Sequence, residues 1–254
     1  LSKNNLKVSS KVGYKLKRGR SKQSLFRANL CTHTVPDYSY DAAMRSVEGS
    51  MRRLGLEFLD TVYIHDLDLI APDKNSLAHS YDATLEVAYI ALTELRANGL
   101  VKRIGLGVND PTIVRRALTE MSLDVVMLAR SCSLLNQTDA AEVKQLCSNL
   151  DKEFVVAGPY QSGILSGADV SNPMYNYSPA STETKRKVAE IKRICAAHGV
   201  PMYAAALQFP LRIAGADLIA CGVKSMEELH QLKNGLEHEI HTARWQELCG
   251  DRFS

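Results

Sequence analysis

No two cysteines of this 254-residue sequence stand in a CxxC or related metal-ligand spacing, although there are six of them: Cys31, Cys132, Cys147, Cys195, Cys221 and Cys249. That pattern offers no zinc site to read. In a chain this long, scattered single cysteines predict free, mostly buried thiols and a reducing compartment, cytoplasmic by default with a mitochondrial location left open. No apolar run approaches the ~20 residues that cross a bilayer, so no membrane partner is expected. Neither sign of charge dominates, the net being +3 with a pI near 8.5. One basic cluster, Lys15-Leu16-Lys17-Arg18-Gly19-Arg20-Ser21-Lys22, could meet nucleic acid or an anionic surface; a solvated basic loop is the preferred reading. No GxGxxG follows an early strand. Gly105-Leu106-Gly107 lacks the third glycine and runs into Asn109, which argues against a doubly wound dinucleotide domain. No signal or transit pattern precedes the first apolar segment, and the sequence begins at Leu1; the expectation is a sequence that starts inside a longer protein.

What is present is an alternation of short apolar runs with helical patterns. Lys7 to Val12 is a β-like run closed by Gly13, followed by a polar loop with Pro36-Asp37 near its end. Ser39 can cap a helix that puts Met44, Val47, Met51 and Leu54 on one face before Gly55. Strands are expected at 59–64, 103–108, 124–128, 154–157 and 218–221. Helices are expected from about Asp82 (Leu85, Ala88, Leu92 and Leu95 inward, Asn98-Gly99 as C-cap) and after Asp110-Pro111, a capping residue with proline at the first helical position. Further helices start near Thr138, run over roughly 182–198, open at Pro201, start in the capping box Ser225-Met226-Glu227-Glu228, and end the chain around Trp245 and Leu248. Six apolar strands separated by helices mean a parallel sheet covered by helices. Polar residues recur where strands end: Lys11, His65, Asn109, Arg130 and Lys224. A (β/α)₈ barrel builds its site on that face, although strand ends meeting solvent carry polar residues in any fold.

Several runs, in order along nearly the whole chain, resemble segments of the aldo-keto reductase family. Val8-Ser9-Ser10-Lys11-Val12-Gly13 is similar to its strand-three lysine motif. Ser46-Val47-Glu48-Gly49-Ser50-Met51-Arg52-Arg53-Leu54-Gly55, with the strand Asp60 to His65, resembles its helix-three signature and active-site histidine. Ile104-Gly105-Leu106-Gly107-Val108-Asn109 is similar to the strand whose asparagine holds the nicotinamide carboxamide. Ser162-Gly163-Ile164-Leu165-Ser166-Gly167 resembles its cofactor loop, and Gly222-Val223-Lys224-Ser225-Met226-Glu227-Glu228 its adenosine-phosphate segment. Arg130 to Leu135 and Ala206-Leu207-Gln208-Phe209-Pro210 point to the branch of L-fucose, L-galactose and D-threo-aldose dehydrogenases.

The resemblance implies an α/β fold, a (β/α)₈ TIM barrel of aldo-keto reductase type with six of its eight strands identifiable, forming one domain over 1–254. It implies an NAD(P)-dependent oxidoreductase that moves a hydride between nicotinamide and a small aldose or carbonyl substrate. Lys11 and His65 would be catalytic. Asn109, Arg130, Tyr160, Ser162, Gly163, Leu165, Gly222, Lys224, Ser225 and Glu228 would bind the cofactor, with no metal. Read from the residues alone, a strand-end lysine is often just solvated and such a histidine often a satisfied core group; Tyr160 could stack on nicotinamide or be a barrel-wall aromatic. Lys224 and Ser225 at a helix N-terminus suit a phosphate and favour NADP, while the sugar-dehydrogenase likeness favours NAD.

The departures are equally specific. The family's aspartate and tyrosine precede the lysine strand and have no counterpart here; Tyr14 and Tyr63 sit where the family uses none. Two βα units, roughly 50–60 residues, are expected upstream of Leu1. Leu232 and Cys221 replace the asparagine that helps hold adenine and the proline before Gly222. The alternative is a catalytically inactive protein of this fold with a structural or regulatory role in an oligomer or larger assembly. The loops Ser24 to Pro36, Ala71 to Tyr81 and Ala168 to Ser181 carry no readable substrate signature.

Overall fold

A computed structural model describes residues 6–19, 32–69, 87–137, 140–167, 171–176 and 178–249. Loop residues 24–31, 71–81 and 168–170, Cys31, Leu85, Thr138 and the end of the basic cluster (Arg20 to Lys22) lie outside the described residues. The chain divides into two compact units, Leu1–Met127 and Leu128–Ser254.

In the first unit, strand β1 (Ser9–Arg18) pairs on one side, in parallel, with β3 (Leu59–His65), with Lys11 opposite Tyr63. In turn β3 pairs in parallel with β4 (Val101–Val108), so that His65 lies opposite Gly107. Strand β3 is buried along most of its length, as a strand covered on both faces must be. At the start of the sheet, Asp60 accepts from the Val8 N–H (2.8 Å) and from Lys102 Nζ (3.2 Å). At Gly105 an added Cβ would lie 2.6 Å from the Tyr63 ring and 2.7 Å from Val125 Cγ1. The strand therefore needs glycine there for packing.

The first strand does not stop at Gly13 as expected. Gly13 adopts φ +123°, and beyond it β1 runs on to pair antiparallel with β2 (Thr32–Asp37). The loop expected around Pro36-Asp37 is thus partly a strand, and Lys15 to Arg18 are strand rather than loop residues. Two features allow it: Gly13 bends the chain where other residues cannot, and Pro36, which has no N–H, is tolerated in an edge strand. Lys15 Nζ reaches Asp37 at 2.5 Å, and together with Ser39 it holds the Asp37 carboxyl down to about 2.

Helix α1 (Tyr40–Leu54) is capped by Ser39, whose Oγ accepts from the Ala42 N–H, and ends at Gly55 in the left-handed region. Its buried face is Ala42, Ala43, Val47, Gly49 and Ser50; of the expected stripe only Val47 is buried, Met44 and Met51 are half-buried and Leu54 is exposed. Small residues let the helix approach β1 closely enough for Ser50 to bond Ser10 (2.9 Å) and for Ser46 to donate to the Lys11 carbonyl (3.1 Å). The described part of α2 spans 87–97 and buries Ala88, Ala91, Leu92 and Leu95. Helix α3 (Pro111–Glu120) follows its Asp110 cap and buries Ile113, Val114, Ala117 and Leu118. Strand β5 (Val125–Ala129) begins at the end of this unit.

In the second unit, β6 (Glu153–Ala157) pairs in parallel with β9 (Leu218–Ala220), and a two-residue antiparallel ribbon, β7 (Met174–Tyr175) and β8 (Ser178–Pro179), lies between them in sequence. Helices α4 (Ala140–Asn149), α5 (Thr182–Ala197), α6 (Met202–Arg212), α7 (Met226–Glu237) and α8 (Thr242–Cys249) follow the expected order. Helix α6 is the most buried, from Ala204 to Pro210. Its Gln208 Nε2 donates to the carbonyls of Gly235 (2.7 Å) and His238 (2.6 Å), satisfying acceptors that a helix end leaves orphaned.

Among the described residues Cys132, Cys147, Cys195, Cys221 and Cys249 are free thiols, and all but Cys221 are buried, as their spacing predicted. Among the same residues no helix is long and apolar enough to cross a membrane, and no cluster of His, Cys, Asp and Glu could hold a metal ion.

Candidate active site

The first unit places Lys11, His65 and Asn109 on, or just after, three adjacent parallel strands, with Lys11 near the start of β1 rather than at its end. Lys11 is on β1, His65 ends β3 beside it, and Asn109 follows β4. Lys11 is exposed, and among the described residues no carboxylate stands within ion-pair distance of its ammonium. The backbone at His65 is fixed by the Tyr38 hydroxyl, which donates to the His65 carbonyl at 2.5 Å. The imidazole Nε2 lies 3.3 Å from Asp66 Oδ1, and the Tyr14 ring meets the imidazole edge-on at 6.0 Å and 66°. Tyr14 in turn donates its O–H to Asp66 Oδ2 (3.2 Å). Burial holds the His65 pKa below the ordinary imidazole value. The Lys11 charge adds to this, while Asp66 and Asp68 oppose it. Burial likewise raises the Tyr14 phenol, reinforced by Asp66.

Asp68 builds the floor of this cluster. Its Oδ2 accepts from the backbone N–H groups of Asn109 (2.8 Å) and Asp110 (2.9 Å), and the Asn109 amide points at Asp68 Oδ1 (3.4 Å) and Asp66 Oδ1 (3.5 Å). Burial nevertheless raises the Asp68 pKa, because desolvating a carboxylate outweighs these donors. Asp66, Asp68, Tyr14 and Tyr38 are the residues that sequence reasoning left without a role. The available signal was the run His65-Asp66-Leu67-Asp68, two acids just past a strand end.

The second unit holds the remaining predicted residues in two groups. Arg130, half-buried with φ +66°, follows β5, and its carbonyl accepts from Gln161 Nε2 (2.9 Å) and Asn136 Nδ2 (3.5 Å). Gln161 also donates to Ser133 Oγ (3.0 Å) and is buried. It therefore fastens the segment after β5 to the loop after β6, a role the sequence did not reveal. That loop turns through three successive positive φ values at Gln161, Ser162 and Gly163. The Tyr160 carbonyl accepts from the N–H groups of Gly163 (3.0 Å) and Leu165 (3.2 Å). Leu165 is fully buried, so its side chain belongs to the core, and Tyr160 is half-buried with its phenol raised by burial.

The second group is the start of α7. Ser225 is its N-cap, with Oγ accepting from the Glu228 N–H (3.1 Å), while Glu228 returns a carboxylate oxygen to the Lys224 N–H (2.7 Å). This is the expected capping box, shifted by one donor. Lys224 and Gly222 are exposed, with open space around Gly222. Gln231 Nε2 reaches the Ser166 carbonyl (3.4 Å) and links α7 to the loop. Elsewhere in this unit a cleft of about 530 Å³ between α6, α7 and α8 contains none of the predicted residues.

Comparison with known proteins gives these positions a family. Residues 2–249 match the model of the Aldo/keto reductase family. The chain is 37% identical over 214 residues to a pyridoxal 4-dehydrogenase of Microbacterium luteolum, covering 84% of this chain and 63% of the relative. It is 33% identical over 218 residues to a D-threo-aldose 1-dehydrogenase of a Pseudomonas species, covering 85% and 64%. The chain thus spans just under two thirds of the length of these curated relatives. Among solved structures it is similar to the holo form of an aldo-keto reductase of Bacillus halodurans (TM-score 0.69, 19% identity, 97% of this chain and 72% of that one). It is also similar to a glycerol dehydrogenase of Gluconobacter oxydans (TM-score 0.71, 14% identity, 96% and 71%). These likenesses show the fold class as the α/β, (β/α)₈ type of aldo-keto reductases, of which β1, β3, β4, β5, β6 and β9 are the six expected strands. The chain belongs to the aldo/keto reductase family.

Proposed function

We propose that the protein is an NAD(P)-dependent oxidoreductase acting on a small aldose or a similar polar carbonyl compound. The observation that carries this is the placement of Lys11, His65 and Asn109 on, or just after, three adjacent parallel strands of the first unit in a chain of this family. Both curated relatives are dehydrogenases, one named for pyridoxal and one for D-threo-aldoses, and the substrate class is inferred from them. In this reading residues 1–254 belong to one barrel domain.

The side chains present fit a nicotinamide dinucleotide. Lys224 and the capped N-terminus of α7 offer a cation and a helix dipole to a phosphate, although Glu228 holds the Lys224 N–H and must release it for a phosphate to take that donor. Ser162, Gly163 and the Leu165 backbone would flank the diphosphate. In the second unit Arg130 and Tyr160 would border a nicotinamide; in the first, Asn109 would pair with a carboxamide on exchanging its Asp66 and Asp68 contacts. The cofactor itself supplies hydride transfer. His65 orients the substrate oxygen, and the Lys11 ammonium stabilises negative charge that develops there. No residue of this chain is assigned the proton transfer.

The experiment is nicotinamide absorbance under steady state with a panel of aldoses and pyridoxal. Turnover is expected with at least one, and both Lys11→Met and His65→Ala should lower kcat/KM by about 100-fold or more without changing thermal stability. No turnover of any panel member by the wild-type protein, or full activity in both variants, would sink the proposal.

A further inference from the structure

Successive residues of a strand point to opposite faces, so the side chains of His65 and Asp66 should not meet. They do, at 3.3 Å, because Asp66 leaves the strand in the left-handed region, at φ +56°, with its N–H bonded to the Gly107 carbonyl (2.8 Å). Aspartate tolerates that conformation better than most residues. Its effect is to fold the carboxylate back against the imidazole. The other carboxylate oxygen is taken by Tyr14, whose O–H comes from β1 across the sheet at 3.2 Å. Tyr14 thus holds one carboxylate oxygen from a neighbouring strand, while the other lies beside the imidazole as its ion-pair partner.

We infer that Asp66 and Tyr14 are positioning residues for His65: the Asp66 carboxylate, 3.3 Å from Nε2, favours the ring proton on that nitrogen by its charge, and Tyr14 acts by holding Asp66. A neutral imidazole with its proton on Nε2 keeps Nδ1 as its acceptor nitrogen. The charged and titratable groups facing the ring are few. Lys11 and Tyr14 come from β1 and Asp66 follows β3; Asp68 comes from the turn after β3. Tyr38, before α1, bonds the His65 backbone. Of these only Asp66 has an oxygen within ion-pair distance of a ring nitrogen among the described residues. Asn109 is neutral and points its amide at Asp66 and Asp68.

The consequence for catalysis rests on the oxidoreductase reading, but the arrangement is measurable without turnover. Long-range ¹⁵N–¹H correlation spectra of the His65 ring across a pH titration report both pKa and tautomer. In the wild-type protein the neutral ring should carry its proton on Nε2; a predominant Nδ1–H form overturns the inference with no variant needed. Asp66→Asn should lower the His65 pKa by about one unit or more and mix the tautomers. Tyr14→Phe should move both readouts in the wild-type background and neither in the Asp66→Asn background. Unchanged values in Asp66→Asn, or an equal Tyr14→Phe effect in both backgrounds, overturns it. Where the protein turns over an aldehyde, Asp66→Asn should displace the pH limb of kcat/KM by the shift seen in the ring titration, and a loss of rate with no displacement contradicts the positioning role. A wild-type protein without turnover defeats the oxidoreductase reading alone, because the spectra still decide this one.

Discussion

Gly13→Ala tests how tightly the backbone around His65 is built. At φ +123° the native conformation is open to glycine and costly for any other residue, on the order of 1–3 kcal/mol. The added methyl would also lie 2.6 Å from Tyr38 Cε1 and 2.9 Å from the His65 carbonyl oxygen. Neither neighbour yields easily, because the two are hydrogen-bonded to each other. Relieving such overpacking costs a further ~1–3 kcal/mol, which places the total at about 2–6 kcal/mol. Gly55→Ala is the matched control. It has a positive φ of 65° but nothing within 4 Å of the new Cβ, so it bears only the left-handed penalty of about 1–2 kcal/mol. Urea denaturation followed by far-ultraviolet circular dichroism compares the two midpoints at constant m. If Gly13→Ala is no more destabilising than Gly55→Ala, the collision with Tyr38 and His65 is not real and the packing of the site is misdescribed.

Three other perturbations have definite outcomes. Asp68→Ala strips the acceptor from two backbone N–H groups and should destabilise by about 2–4 kcal/mol, with faster amide exchange at Asn109 and Asp110; Asp68→Asn, which retains an acceptor oxygen, should cost less than half of that. Because burial raises the Asp68 pKa, its share of stability is full below the ordinary carboxylate range and is lost as pH rises through the folded value. The Asp68→Asn variant should lack that slope in a pH series of melting temperatures. Gln161→Leu cuts the tie between the β5 and β6 loops and should destabilise by about 1–3 kcal/mol, with exchange increased at 130–136 but not on α1. Asp37, lowered to about 2 chiefly by Lys15, contributes stability that is present above the ordinary carboxylate pKa and lost as pH falls through about 2. Lys15→Ala should move its titration, read by carbon-detected resonance of the carboxyl, back toward the ordinary value.

The parallel strands were legible because burial on both faces writes them as uninterrupted apolar runs, as in Val62 to Ile64. The helices were legible from their ends, since Ser39, Asp110 and Ser225 cap them as expected. The inward face of α1 was not. Hydrophobicity pointed to Met44, Val47, Met51 and Leu54; of these Val47 is buried, and close approach to β1 favoured Ala42, Ala43 and Ser50 for the rest. The hairpin of β1 and β2 was missed because its polar, solvent-facing residues leave no apolar run. At the site, Lys11, His65 and Asn109 could be placed from strand ends and family likeness. The companions of His65 could not, because Asp66 reaches it only through a left-handed turn and Tyr14 only across the sheet. Gln161 was hidden for a similar reason: its partners, Arg130 and Ser133, are some thirty positions away.

The central claim is that the protein binds a nicotinamide dinucleotide. Titrating the protein with NADPH and with NADH, followed by the nicotinamide emission, tests it most directly. The account predicts saturable binding of at least one nucleotide. It also predicts about tenfold weaker NADPH binding in Lys224→Ala, with NADH binding unaffected. Absence of saturable binding by either nucleotide would contradict it.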